Sequence, residues 1–252
     1  MRKYGYLLVW KRNFFVYRKS GLLANLWLFL EPLFYLLVFG LGIGSFIQNV
    51  DGKSYLDFFF PGLLITTAAL IAFQESTSGY FLRSRKLKLY DTWMLLPIKR
   101  SDIFWGEILW SSTRGIVSAV GVAAVGTLLG LYQGAGLFAV LLVLIFVSVL
   151  FASLGMGLAL RTQQSDSFLL PLASVLLPLI SISGVLFPVS VLPLPLKIIS
   201  YSFPLVHAVE LSRNLIENKL IVMDVVHFAY LLVVSVFVSR YVYHLTIKTF
   251  SN

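Results

Sequence analysis

Residues 80–107 read YFLRSRKLKLYDTWMLLPIKRSDIFWGE, from Tyr80 to Glu107. Upstream, Phe58–Phe81 is nearly free of charge and long enough to cross a bilayer; downstream, Ile103–Leu131 is too. Between them stand Arg83, Arg85, Lys86, Lys88, Lys99 and Arg100. A loop this basic between two spans belongs at the cytoplasmic surface by the positive-inside rule. That rule explains the charge alone. Leu87, Tyr90, Trp93 and Met94 recur at helical spacing, which predicts an ordered helix with an apolar face. Such a helix suits a docking element that passes force to the spans, with Arg85 and Lys88 beside it.

The whole composition agrees with a bilayer setting. The chain is 58% hydrophobic and 12% charged, against about 25% charged in soluble domains, and its mean hydropathy is +0.88. The fold class expected is all-α and integral to the membrane. A net charge of +9 would suggest nucleic acid in a soluble protein. Here the cations gather in loops on one side, so topology and anionic lipid account for them, and no nucleic-acid partner is expected. The absence of cysteine excludes disulfides and thiolate metal sites.

The start, MRKYGYLLVWKRNFFVYRKS, is basic and lacks a small-residue cleavage site, so no signal peptide is expected. Tyr6, Leu7, Trp10, Phe14 and Tyr17 recur every three or four residues. They predict an amphipathic interface helix over residues 2–19, its apolar face in lipid. Six spans are expected. The first lies within Gly21–Ile47, its helix proper starting near Glu31-Pro32. The second and third flank the basic loop, with Ser101 and Asp102 where a helix cap belongs. Gly134 to Gly136 is a tight turn before the fourth, Leu137–Leu160. The fifth is Phe168–Phe187, containing Pro171 and Pro178, and the sixth is Val225–Thr246.

Residues 188–224 differ. Pro188, Pro193, Pro195 and Pro204 interrupt them, yet Leu196–Tyr201 and Leu205–Ile216 are too apolar for a solvated loop. Short helices dipping into one leaflet fit, because irregular backbone at membrane depth must be buried in protein or line a cavity. Most cations fall on the side of the two termini, which places both termini in the cytoplasm and residues 188–224 outside.

Intramembrane ionisable residues default to functional hypotheses. Glu75 and Glu107 flank the basic loop and are placed to pair with its cations. Arg114, seven residues beyond Glu107, shares its helix face and is expected to pair with it. Glu31 is expected at the interface. No catalytic, metal or cofactor site is expected. The histidines 207, 227 and 244 are scattered, and no H-E-x-x-H occurs. Gly52-Lys53-Ser54 mimics the end of a phosphate-binding loop, but the motif needs a glycine where Ile47 stands.

Five stretches, in order, carry a resemblance over essentially the whole chain: EPLFYLLVFGLGIG at 31–44, FPGLL at 60–64, WMLLPIKRSDIFWGEILW at 93–110, SGVLFPVSVLP at 183–193 and FPLVHAVELSRNLI at 203–216. The chain resembles the permease subunits of ABC-2 type exporters, especially the branch of the nodulation-factor export permease and its daunorubicin-type relatives. The resemblance implies a bacterial inner-membrane homodimer working with two copies of a separate ABC ATPase, which holds ATP and magnesium. Ser84–Leu96 is similar to the coupling helix that seats in the ATPase, and 2–19 to the interface helix. Residues 193–217 resemble re-entrant helices that close the outer end of the path, with Pro188, Pro193, Pro204, His207 and Glu210 as gate residues. The cargo implied is a lipo-oligosaccharide, a polysaccharide or, alternatively, a drug. A membrane-embedded enzyme acting on lipid would need polar groups clustered at one depth, and the carboxylates are dispersed. A channel or scaffold would need no ATPase, which co-purification distinguishes.

Overall fold

A computed structural model describes residues 4–19, 21–47, 49–50, 52–131, 136–162 and 176–249, and among these it is all-helical apart from one isolated β-bridge, Val50 to Lys53. Among the described residues, five helical stretches are long and apolar enough to cross a membrane: Leu28–Ser45, Tyr55–Lys86, Arg100–Leu128, Gly136–Arg161 and Val222–Thr249. Residues 168–175 of the expected fifth span, Pro171 among them, lie outside the described residues, as do Arg2, Lys3 and Gly134.

The chain starts with α1 (Gly5–Lys19). Helix α2 (Leu22–Tyr35) runs on through a π-helical stretch, Leu36–Gly42, and a short 3-10 turn, Ile43–Ser45. The expected start at Glu31-Pro32 is therefore corrected: the helix begins at Leu22 and passes through Pro32. A membrane helix tolerates this, because neighbours can satisfy the freed carbonyl. Glu31 stands inside the helix and half-buried.

Helix α3 (Tyr55–Gln74) is the core of the bundle. Ser54 caps it, its hydroxyl accepting from the Asp57 N–H at 3.2 Å. It packs against α5 (Arg100–Leu128), α6 (Gly136–Arg161) and α9 (Pro204–Ile216). In lipid the hydrophobic effect does not drive helices together, so close van der Waals approach must. Two glycines provide it. A Cβ at Gly115 would lie 2.5 Å from the Ala68 carbonyl oxygen, and one at Gly155 would lie 2.6 Å from that of Phe73. Phe60, Leu64, Ile65, Val122, Val147 and Phe151 fill the resulting core.

Past Gln74 the helix continues through two π-turns, Glu75–Gly79 and Leu82–Lys86. Lys88 then takes a left-handed backbone, φ 47°, uncommon for a side-chain-bearing residue. The short α4 (Leu89–Trp93) follows, and turns lead to α5. The expected single helix over 84–96 is thus two pieces broken at Lys88. At the start of α5 the Asp102 carboxylate accepts from the Lys99 N–H at 3.1 Å, so Lys99, not Ser101, is the cap residue.

Beyond α6 come α7 (Leu177–Ser181), a 3-10 turn at Val189–Val191, α8 (Leu194–Tyr201), α9, and α10 (Val222–Thr249). Residues 188–221 hold only short helices, and Pro193 and Pro204 stand at helix starts, where a missing N–H costs nothing.

Candidate functional site

The basic end of the bundle holds a buried network of charges contributed by α1, α3 and its π-turns, and α5. Its centre is Arg83, on the second π-turn and only 9% exposed. Its guanidinium donates through Nη2 to Glu107 Oε2 at 2.6 Å and through Nε to Glu107 Oε1 at 3.2 Å. Nη1 donates to Glu75 Oε1 at 2.8 Å. The planar fork of arginine is suited to this bidentate work. The other oxygen of Glu75 is ion-paired with Arg114. Trp110 Nε1 donates to Glu75 Oε1 at 2.8 Å, and Asn13 Nδ2 donates to Glu107 Oε1 at 3.0 Å.

Two carboxylates and two guanidiniums sum to zero. That balance lets the cluster exist away from water, where an unpaired charge is very costly. Neutral groups complete it. The Arg114 guanidinium lies 4.5 Å from the Tyr17 ring centre, a distance that allows cation–π attraction. The Tyr17 ring sits edge-on to Trp110 at 5.7 Å. Trp10 Nε1 donates to the Thr113 hydroxyl at 3.1 Å.

Helix α1 is fastened to this cluster. Gly5, Val9 and Asn13, spaced by four, form its buried stripe. Gly106 on α5 lets that stripe approach, with the Tyr6 carbonyl and Val9 at its surface. The expected lipid-facing stripe therefore divides: Trp10 and Tyr17 turn toward α5, while Leu7 and Phe14 stay exposed. Arg12 bonds Asn13 Oδ1 at 3.0 Å and lies 5.9 Å from the Trp93 ring centre. Partial burial, with Arg83 nearby, moves the Arg12 pKa below its ordinary value.

The loop joins through Tyr90, 1% exposed, which packs on Tyr80 and Trp93 with ring centres 5.3 and 5.7 Å apart. Burial, with the Glu107 carboxylate nearby, pushes its phenol pKa well above the ordinary value. Tyr90 thus faces the bundle, whereas the sequence reading placed it on the exposed apolar face of the loop. Trp93 is half-buried, whereas Leu87, Met94, Leu95 and Leu96 are exposed. Arg85 and Lys88 border a hollow beside Tyr90.

The sequence reading brought Glu75 and Glu107 to the loop cations, and the structure places Arg83 between them. It also corrects one pairing: Arg114 meets Glu75, not Glu107, because Arg83 occupies both oxygens of Glu107. Asn13 and Trp110 went unremarked. The polar Asn13 in an otherwise apolar i, i+4 stripe was the signal available for it. Glu31 lies elsewhere, on an apolar groove of about 680 Å³ with Tyr35, Phe39, Leu63 and Leu177.

At the opposite end, His207 and Glu210 on α9 converge with His227 on α10, a pairing that wide sequence separation concealed. Nearby, a hollow of about 700 Å³ is bordered by Lys53, Pro188, Lys197, Tyr201, Glu210 and Arg213. Lys53 is ion-paired with Glu217, and Arg213 donates to the Phe58 carbonyl at 3.2 Å and to that of Gly184. No group of three or more potential metal ligands occurs among the described residues.

Residues 4–216 match the ABC-2 type transporter family. Nodulation protein J of Rhizobium leguminosarum bv. viciae is 29% identical over 208 residues, 82% of this chain and 80% of that protein. Nodulation protein J of Rhizobium meliloti is 27% identical over 210 residues, 83% and 80% of the two chains. The inner membrane transport permease YadH of Escherichia coli is 26% identical over 176 residues, 70% and 68% of the two.

Proposed function

Since this chain belongs to the ABC-2 type transporter family and is a multi-pass membrane permease, we propose that it carries a lipid-linked oligosaccharide out of the cytoplasm, driven by a separate ABC ATPase. Two copies of the chain form the path, and two ATPase subunits bind ATP and magnesium. The membrane is the bacterial inner membrane, as the name of the related YadH permease states for that protein. The basic end faces the cytoplasm, with both termini, and residues 188–224 lie outside.

One observation carries the coupling part of this reading: the Arg83 cluster locks α1, the end of α3, and α5 into one charge-neutral unit beneath the exposed loop. A push on the loop therefore reaches two spans at once. The exposed Leu87, Met94, Leu95 and Leu96 are the face offered to the ATPase, with Tyr90 as its internal anchor. The cargo rests on the likeness to Nodulation protein J. A drug-like amphipath is the second reading, and the apolar groove carrying the Glu31 carboxylate favours it for a cationic cargo.

The test is reconstitution of the permease with its ATPase in vesicles. ATP-dependent movement of a labelled lipo-oligosaccharide is expected, with a cationic amphipath failing to compete; the reverse selectivity selects the second reading. Single cysteines in this cysteine-free chain test the orientation. Ser190→Cys should react with an impermeant thiol reagent in intact cells and Ser84→Cys should not.

A further inference from the structure

The histidine pair at the end remote from the basic loop is a built constellation whose hydrogens can be counted. His207 Nε2 lies 2.9 Å from the Tyr201 carbonyl oxygen, which only accepts, so this nitrogen carries hydrogen. His207 Nδ1 lies 2.7 Å from His227 Nδ1, a contact with room for one hydrogen. His227 Nε2 faces Glu210 Oε2 at 3.3 Å, while Glu210 Oε1 already accepts from the Tyr201 hydroxyl at 2.9 Å. Beside a carboxylate oxygen, that ring nitrogen carries hydrogen as well. Three contacts need three ring hydrogens, and two neutral imidazoles supply two. Both rings are buried, His207 at 8% and His227 at 6% exposure.

We propose that His207 and His227 form a proton-binding latch that holds one proton beyond neutrality, balanced by Glu210, and that a second proton releases α9 from α10. The only ring nitrogen left to accept it is whichever Nδ1 of the 2.7 Å contact carries no hydrogen. Filling it sets N–H against N–H and two like charges together. Because α9 carries His207 and Glu210 while α10 carries His227, the contact that breaks is the one between the two helices.

One other carboxylate stands a turn from His227 on α10: Asp224, 4% exposed, whose two oxygens accept from the Asn214 amide of α9 and from the Ile221 N–H, each at 2.8 Å. From α8, Tyr201 is engaged with Glu210, and Lys197 borders the hollow on which Glu210 lies. From α9 and the facing turn, Arg213, Glu217 and Lys53 border the same hollow, the last two paired with each other. From α10, the Tyr230 ring stacks 4.2 Å from His207 and its hydroxyl donates to the Ser202 carbonyl. Helix α6 packs on both α9 and α10 and carries only Arg161, at its far end. Asp57 on α3 is bonded to Ser54. Burial, and secondarily His227, lower the His207 pKa. The sign follows: the latch is whole above the ordinary histidine value and is lost as pH falls through the lowered His207 value. The protons come from the side this end faces, which is outside on the orientation proposed above; the latch itself does not depend on the cargo.

The test uses full-length permease in nanodiscs, labelled with ¹⁵N-histidine, with His244→Gln removing the third imidazole. At pH 7.5 the pair should hold one imidazolium. The second proton should enter below the ordinary histidine range. Glu210→Gln should leave the pair neutral at pH 7.5. Two neutral rings at pH 7.5 in the unsubstituted pair, or two rings titrating independently near the ordinary value, overturn the proposal. Release is read at Ser212→Cys, a fully buried position on α9. Relative to a free cysteine peptide at each pH, labelling should rise roughly tenfold from pH 7 to pH 5, a factor equal to one pKa unit. In His227→Gln it should stay flat, because the amide can turn its oxygen toward a protonated His207. An equal rise in that variant overturns the latch. Should His227→Gln not fold, the histidine titration decides alone.

Discussion

Replacing Arg83 with methionine should unfold this permease more readily than any other single change in the basic loop. Arg83 makes three charge-assisted hydrogen bonds, two to Glu107 and one to Glu75. The two carboxylates lose unequally. Glu75 keeps Arg114 and Trp110. Glu107, 1% exposed, keeps the neutral donor Asn13. A buried charge stripped of its partner costs about 3–5 kcal/mol. For a chain of this size that is a loss of roughly 10 °C in midpoint. The diagnostic is which second substitution repairs the damage. Glu107→Gln removes the orphaned charge and should recover most of the loss, giving a coupling energy of about 2 kcal/mol or more. Glu75→Gln should not, because it orphans Arg114 instead. Thermal unfolding in detergent, followed by size-exclusion fluorescence for the four variants and the parent, gives these numbers. The reasoning is refuted if Arg83→Met melts within about 2 °C of the parent, or if Glu75→Gln rescues as well as Glu107→Gln.

Leu95→Asp together with Leu96→Asp should abolish ATPase co-purification while leaving the permease midpoint unchanged, because both side chains are exposed. Tyr90→Ala should do the opposite at first reading, costing roughly 3 kcal/mol of permease stability through a buried void; equal co-purification loss at an unchanged midpoint would contradict it. Gly155→Val drives a side chain into the Phe73 carbonyl and Ser76 and should cost about 1–3 kcal/mol as overpacking, read as a lower melting midpoint. The purified permease without its ATPase should show only background ATP turnover; robust hydrolysis that survives further purification would refute the division of labour.

Five of the expected spans were legible because their signal is local: a long uncharged run must be a helix or a barrel strand in lipid, and composition alone marks it. The short helices after Pro188 were legible for the same reason, since proline at 193 and 204 fixes where helices can start. The orientation of Tyr90 was not. Period alone places Leu87, Tyr90, Trp93 and Met94 on one face, but the left-handed Lys88 interrupts the helix and rotates Tyr90 inward. The charge partners were half legible. Two carboxylates beside a basic loop announce ion pairs, yet which cation goes to which depends on π-turns that residue spacing does not reveal. The histidine pair was invisible, because twenty residues and a turn separate two rings that meet only when α9 and α10 pack.

The two π-turns that carry Glu75 and Arg83 have a kinematic consequence. A π-turn is an extra residue accommodated within a helix, and such a defect can migrate along the rod without breaking it. A segment that the defect passes is turned by one residue, about 100° about the axis and about 1.5 Å along it. Glu75 and Arg83 are therefore on a screw. On the coupling proposed above, motion received at the Lys88 break would travel upward as torsion of one continuous helix, Tyr55–Lys86, whose upper two-thirds are clamped in the core. Such a rod delivers rotation to its partners while its length across the membrane barely changes.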